Sequence, residues 1–352
     1  MAQFWYYFFT LVFFLFDYFI LAMGLNIQYG EAGILNFSYF AFVAIGAYVT
    51  GAVSLPSSVG SGQQYIFGFN MPFPFSLLAG GVACMVLALF VALIALRRLR
   101  TDYLAMVLIS MSLVLYDIIN NYPRLFNGAD GIYNVPQPLA GVLHLTSNAF
   151  SIFFACLTGV IAMLMWLVMS RITRSPLGRT FRAIRDDPDV AAALGKGVFR
   201  YQVTSLVIGS FYAGIGGGLI MQFGGSFNPS AWLPGETFVV FAVIIVGGVG
   251  NNVGLLMGAL LVEALLIHLP AFLPEIPGHP GLIEYIDGAL IGIILMVMLW
   301  FRPQGLVPER IRRFPLPAGE LLDRDGHSVV APTPTETVAA SAAHDASEGT
   351  VA

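Results

Sequence analysis

The chain has 352 residues, 57% of them hydrophobic and only 10% charged, with a formal net charge of −4. So little charge cannot coat a soluble domain of this length, which excludes an ordinary water-soluble protein and leaves lipid as the main solvent. Without a basic excess, no nucleic-acid partner is expected.

The first apolar stretch, 4–23, reaches the roughly 18 to 20 residues that cross a hydrocarbon core as a helix. It has no Lys or Arg and is rich in Phe and Tyr, so it is expected to stay as a span and not to be cleaved. Further spans are predicted over 34–54, 75–96, 104–121, 150–169, 204–222 and 282–300. The apolar run 237–269 is long for one helix and is broken by Gly247, Gly248, Gly250, Asn251 and Asn252, which suits two short spans. The expectation is an all-α integral membrane protein. It is a polytopic transmembrane helix bundle of about nine crossings, within a range of eight to ten, with some helices broken.

Charge sets the orientation, because Lys and Arg are retained on the cytoplasmic side of short loops. Arg97, Arg98 and Arg100 form one cluster, residues 171–200 hold six Arg and Lys196, and Arg302, Arg310, Arg312 and Arg313 form the third. Counting the broken run as two crossings leaves an even number of spans between clusters, with the N-terminus outside and the C-terminus cytoplasmic. The domain reading is therefore a transmembrane unit over 1–314, with a cytoplasmic coupling loop at 171–203. The tail, 315–352, is rich in Pro, Ala, Ser, Thr and acidic residues and is expected to be disordered. Cys84 and Cys156 fall inside predicted spans, where a thiol is a small apolar filler.

The loop at 171–203 is punctuated to fold. Ser175-Pro176 and Asp187-Pro188 each read as an N-cap followed by a first helical residue, and Gly195 supplies a stop. Two short helices outside the bilayer are predicted, 176–185 and 188–194. Ala191, Ala192 and Ala193 leave the second with little bulk, which suits close docking against another protein. A plain solvated connector is the alternative reading. Arg182, Arg185 and Lys196 are open to two uses, pairing with acidic groups on a partner or snorkelling to the membrane surface.

At these residues the chain resembles the permeases of branched-chain amino acid ABC importers, in their LivM-like branch. The run from Arg182 through Arg185, Asp186 and Asp187, then Ala191 to Gly195, then Arg200-Tyr201, looks like the family's cytoplasmic signature. ABC importer permeases carry Glu-Ala-Ala followed at a fixed spacing by Gly. Asp189-Val190-Ala191 stands at that spacing from Gly195, with two of the three positions departing. Six further blocks resemble the family in order: Gly24-Leu25-Asn26 with Gly30 and Gly33, Gly46-Ala47-Tyr48, Asp102-Tyr103, Gly128 to Ile132, Val246 to Gly250, and Phe301 to Leu306. Glu31 departs from the pattern, since a neutral residue is expected there.

The resemblance implies that the second loop helix docks in a cleft of an ATP-hydrolysing partner. The coupling residues it implies are Arg182, Arg185, Asp186, Asp187, Asp189, Ala191, Ala192, Gly195, Lys196 and Tyr201. It also implies a homologous second permease, two ATP-binding-cassette ATPase subunits and a periplasmic solute-binding protein, in a bacterial inner membrane. No cofactor is expected on this chain, with ATP bound by the partners. The one P-loop-like stretch has Gly197 where Ser or Thr is required and Val190 where the first Gly belongs.

Two Gly-punctuated segments, 24–51 and 247–258, lie in opposite halves of the chain, and interrupted helices in corresponding halves point to a translocation pathway. Gly30, Gly33, Asn36, Gly247, Gly248, Asn251 and Asn252 are the candidates. The evenly spaced glycines, Gly250, Gly254 and Gly258, read as helix packing. Asp17, Asp117, Glu263 and Asp287 are intramembrane carboxylates, functional candidates by default. An ion-gradient-driven secondary transporter shares the hydropathy, and a family permease for urea or amides shares the motifs. A membrane enzyme needs convergent nucleophile, acid or metal ligands, and the five scattered His give no metal site.

Overall fold

The computed structural model describes residues 2–58, 62–97, 101–138, 146–233, 235–267, 292–293, 296–298, 300–302, 304–308, 320–322 and 328–330. The first span is α1 (Ala2–Asn26), which widens into a π-helical turn at Ile27–Glu31. α2 (Tyr39–Ser54), α3 (Phe75–Val91) and α4 (Thr101–Asn121) follow, then the short α5 (Pro123–Phe126). α6 (Ser147–Arg174) leads into the polar loop, and α9 (Val198–Gly224) leaves it. The broken run is two helices, α10 (Glu236–Gly247) and α11 (Asn252–Ala259), the second continuing as a π-helix over Leu260–Ile267.

Among the described residues six helical stretches are long and apolar enough to cross a bilayer, and two shorter apolar ones accompany them. This is the polytopic all-α architecture that the composition predicts. The last predicted span, 282–300, lies almost wholly outside the described residues, as do Asp287 and the Arg cluster at 310–313. The helical unit is Met1–Glu309, and Arg310–Ala352 forms a second unit. In the second unit one antiparallel strand pair is described, Glu320–Leu322 with Ser328–Val330, within a tail expected to be unstructured.

α2 begins later than the sequence suggests, at Tyr39 and not at Ile34. Asn36 is the cause: its Oδ1 accepts from the backbone N–H of Ser38 at 3.0 Å and from the Ser38 hydroxyl at 2.7 Å, so the side chain takes the place of a helical carbonyl. α9 packs against α1, α2 and α3. Its approach to α2 depends on bare backbone, since a Cβ at Gly46 would lie 2.4 Å from the Gly214 Cα. Aromatic stacking closes the other side, with Phe13 of α1 4.2 Å from Phe223 of α9, and Phe154 of α6 5.6 Å from Phe223.

The connections sort to two ends. At one end the backbone N–H of Leu306 donates to Val246 (2.8 Å) and that of Val307 to Gly247 (3.1 Å), beside the segment 27–38 and the polar loop. At the other, Ile132 exchanges backbone bonds with Phe227, Tyr65 bridges Phe126, and Gln63 donates to the Tyr133 carbonyl at 3.0 Å. The described members of the basic clusters, Arg97, the loop arginines and Arg302, all belong to the first end.

Candidate functional site

The polar loop folds as its caps dictate. Ser175 Oγ accepts from the Leu177 N–H at 3.2 Å and starts α7 (Pro176–Asp186). Asp187 accepts from the N–H groups of Asp189 (2.9 Å) and Val190 (3.0 Å) and starts α8 (Pro188–Ala193). Gly195, at φ +79°, ends the pair. α7 is amphipathic: Gly178, Phe181 and Ile184 are buried, and Phe181 meets Tyr201 edge-on at 6.3 Å. α8 is the opposite, since only Ala191 is buried. Asp186, Asp187, Asp189, Ala192, Gly195 and Lys196 are exposed, and Val190 and Leu194 present 55% and 75% of their surface to the outside. Apolar residues facing outward on a short helix are the kind of surface that marks interaction sites.

The polar side of α7 is anchored inward. Arg182 forms an ion pair with Glu31 at 2.7 Å and also donates to the Thr173 carbonyl at 3.3 Å. Arg185 donates to the Gly30 carbonyl and pairs with Asp186 at 3.3 Å. Gly33, at φ +73°, lies against Arg185, where an added Cβ would stand 3.3 Å from the Arg185 Cα. So the charge of Arg182 is paired within the chain. It neutralises a carboxylate buried at the end of the first span, which ends at the same face as the loop. Lys196 has no such contact among the described residues and is exposed.

The two Gly-punctuated segments meet beneath this anchor. Asn26 accepts from the Gly250 N–H at 3.0 Å, and its amide reaches Asn252 Oδ1 at 3.3 Å. Asn36 donates to Gln28 at 2.9 Å, and Gln28 to the Leu206 carbonyl at 3.0 Å, in a chain of buried amides that joins the break in α1 to α9. Gly247 packs on Gly254. Gly248, at φ +121°, lies against the Val307 carbonyl. Asn251 caps α11 through the Val253 N–H at 3.0 Å and donates to the carbonyls of Val307 and Pro308. The pathway candidates therefore gather at the basic end, about 18 Å from the start of α10 at 1.5 Å per residue.

Sequence reasoning missed Glu31, Asn26, Gln28 and Ser38 as parts of this site. Glu31 carried a signal, being the single acidic residue between Asp17 and Asp102. The arrangement ties the polar loop to the end of the first span and to the α10–α11 turn. Among the described residues no group of three His, Cys, Asp or Glu is placed to hold a metal.

The sequence model of the family described as "Branched-chain amino acid transport system / permease component" matches residues 7–299. The chain is 28% identical to the high-affinity branched-chain amino acid transport system permease protein LivM of Escherichia coli, over 83% of this chain and 68% of that one. It is 27% identical to the probable LivM permease of Methanocaldococcus jannaschii, over 83% of this chain and 91% of that one. The LivH permease of Escherichia coli is 26% identical, with 82% and 91% covered. No solved structure matches.

Proposed function

The chain belongs to the family of permease components of branched-chain amino acid transport systems, and on that premise we propose that it carries leucine, isoleucine or valine inward as one permease of an ABC importer. Similarity to both LivM and LivH supports a pair of homologous permeases. The remaining assembly in this reading is two ATPase subunits on the basic, cytoplasmic face and a solute-binding protein on the other, in a bacterial inner membrane.

One observation carries the coupling part of this reading. α8 projects apolar residues outward, while α7, covalently continuous with it, holds the end of α1 through Arg182–Glu31 and Arg185–Gly30. An ATPase cleft that grips α8 pulls on α7, and α7 is bonded to the break in the first span. That break is bonded in turn to the α10–α11 turn through Asn26. Motion at the docking surface thus reaches both interrupted segments through side-chain contacts, with no step relayed through lipid.

Uptake of radiolabelled leucine and of urea into vesicles holding this chain with its candidate partners tests the reading. Leucine accumulation that requires ATP and the partners is expected. Accumulation driven by an ion gradient in this chain alone overturns it in favour of a secondary transporter, and uptake of urea without leucine moves the substrate to the amide branch.

A further inference from the structure

A groove of about 310 Å³ lies between α1, α2, α9 and the segment that leads into α10. Its size is at the lower end of small-molecule sites, roughly 300 Å³, which suits a molecule no larger than an amino acid. Its walls are apolar, from Phe14, Phe40, Ile220 and Phe223. Tyr18, Ser226, Asn228 and Glu236 add polar groups to the lining.

Glu236 is the unusual member. It opens α10, a helix of 12 residues whose far end is at the basic face, so it lies about 18 Å into the membrane, near the midplane of a core about 30 Å thick. The carboxylate is half-buried and has no hydrogen-bond or ion-pair partner among the described residues. A charge at that depth does not face hydrocarbon unaided; it faces a cavity or a ligand. The opposite polarity is also present. Asn228 accepts from Ser230 through Oδ1 at 2.7 Å, which leaves its amide N–H groups to donate, and Ser226 adds a hydroxyl. The N-terminal turns of α2 and α10 converge beside Glu236, where the Phe40 N–H donates to Thr237 Oγ1 at 3.2 Å.

We propose that this groove binds the free α-amino acid during transport: Glu236 takes the ammonium, Asn228 and Ser226 face the carboxylate, and Phe40 and Phe223 pack against the aliphatic side chain. The inference rests on the amino-acid permease reading and adds a selective step inside the permease itself. Urea offers neither an ammonium nor an apolar group, so the groove rejects it.

The test uses the complete transporter in proteoliposomes. Ala231 lines the groove and is exposed. In a Cys156→Ser background, the thiol of an Ala231→Cys variant reports on occupancy through its rate of maleimide labelling. Leucine is expected to slow labelling and urea to leave it unchanged. Adding Glu236→Gln is expected to raise the protecting leucine concentration about tenfold or more, as loss of a charge-assisted bond predicts, with Glu236→Asp falling between. The KM for leucine uptake by Glu236→Gln in the otherwise natural complex is expected to rise by a similar factor, which guards against a reporter variant that fails to assemble. Labelling indifferent to leucine in a complex that takes up leucine overturns the groove as the site. Equal protection by urea overturns the roles given to its polar groups. Absence of leucine uptake by the natural complex overturns the amino-acid reading beneath both.

Discussion

Glu31 is 1% exposed, and Arg182 reaches it across 151 positions of sequence to pair with its charge. Removing one member of such a pair leaves an uncompensated buried charge, at a cost of about 3 to 5 kcal/mol, whereas removing both leaves two neutral groups and a smaller penalty. Arg182→Gln should therefore lower the unfolding temperature of the detergent-purified permease more than the double variant Arg182→Gln with Glu31→Gln. A double-mutant cycle should return a coupling of about 1 to 3 kcal/mol, and additive effects would show that the pair is incidental. In transport, both single variants should hydrolyse ATP with reduced leucine uptake, because the loop no longer holds α1. The pair also marks where residue-level reading stops. An isolated acid at a family-neutral position and an arginine in a basic loop are both visible in the sequence, but nothing local says that they touch. Asn26 and Gln28 were still less legible, since an amide inside an apolar span advertises no partner until the α10–α11 turn and α9 are placed beside it.

Elements with their own punctuation were readable, and those shaped by distant contacts were not. α7 and α8 fall within a residue of their predicted bounds because Ser175 and Asp187 supply the caps and Pro the first turn, all within a few positions. The break between α10 and α11 was visible for the same reason, in the run Gly247 to Asn252. The start of α2 was displaced because Asn36 and Ser38 divert the backbone, a competition that hydropathy does not weigh. For α8 this legibility makes a sharp prediction. Ala192 is exposed and only Ala191 points inward, so Ala192→Arg should leave the permease folded, with stability within about 0.5 kcal/mol of the parent, as for most surface substitutions. A bulky charge on the docking face should nonetheless abolish substrate-stimulated ATP hydrolysis in the assembled complex. Stimulation at the parent level would mean that α8 is only a solvated connector.

At the scale of the whole molecule, two independent observations agree that the basic groups share one end. Basic residues fall in three groups along the chain, and the contacts that tie the connections together put the described members of those groups at one end, with 63–65, 126–133 and 227 tied together at the other. The first follows from charge retention during insertion, and the second from hydrogen bonding of loops that have no lipid-compatible alternative. Neither depends on the other. Lys196 and Asn70 are exposed residues on the opposite ends, Lys196 just past α8 and Asn70 bonded through its backbone to Leu55 at 2.9 Å. In cells, a thiol introduced by Asn70→Cys in a background lacking Cys156 should react with a membrane-impermeant maleimide, and one introduced by Lys196→Cys should react only after the cytoplasm is opened. The reverse pattern would invert the molecule and place α8 where no ATPase could reach it. Reaction of both from the same side would mean that one of the three spans between them, α3, α4 or α6, does not cross the membrane. Only the expected pattern leaves α8 facing the nucleotide supply.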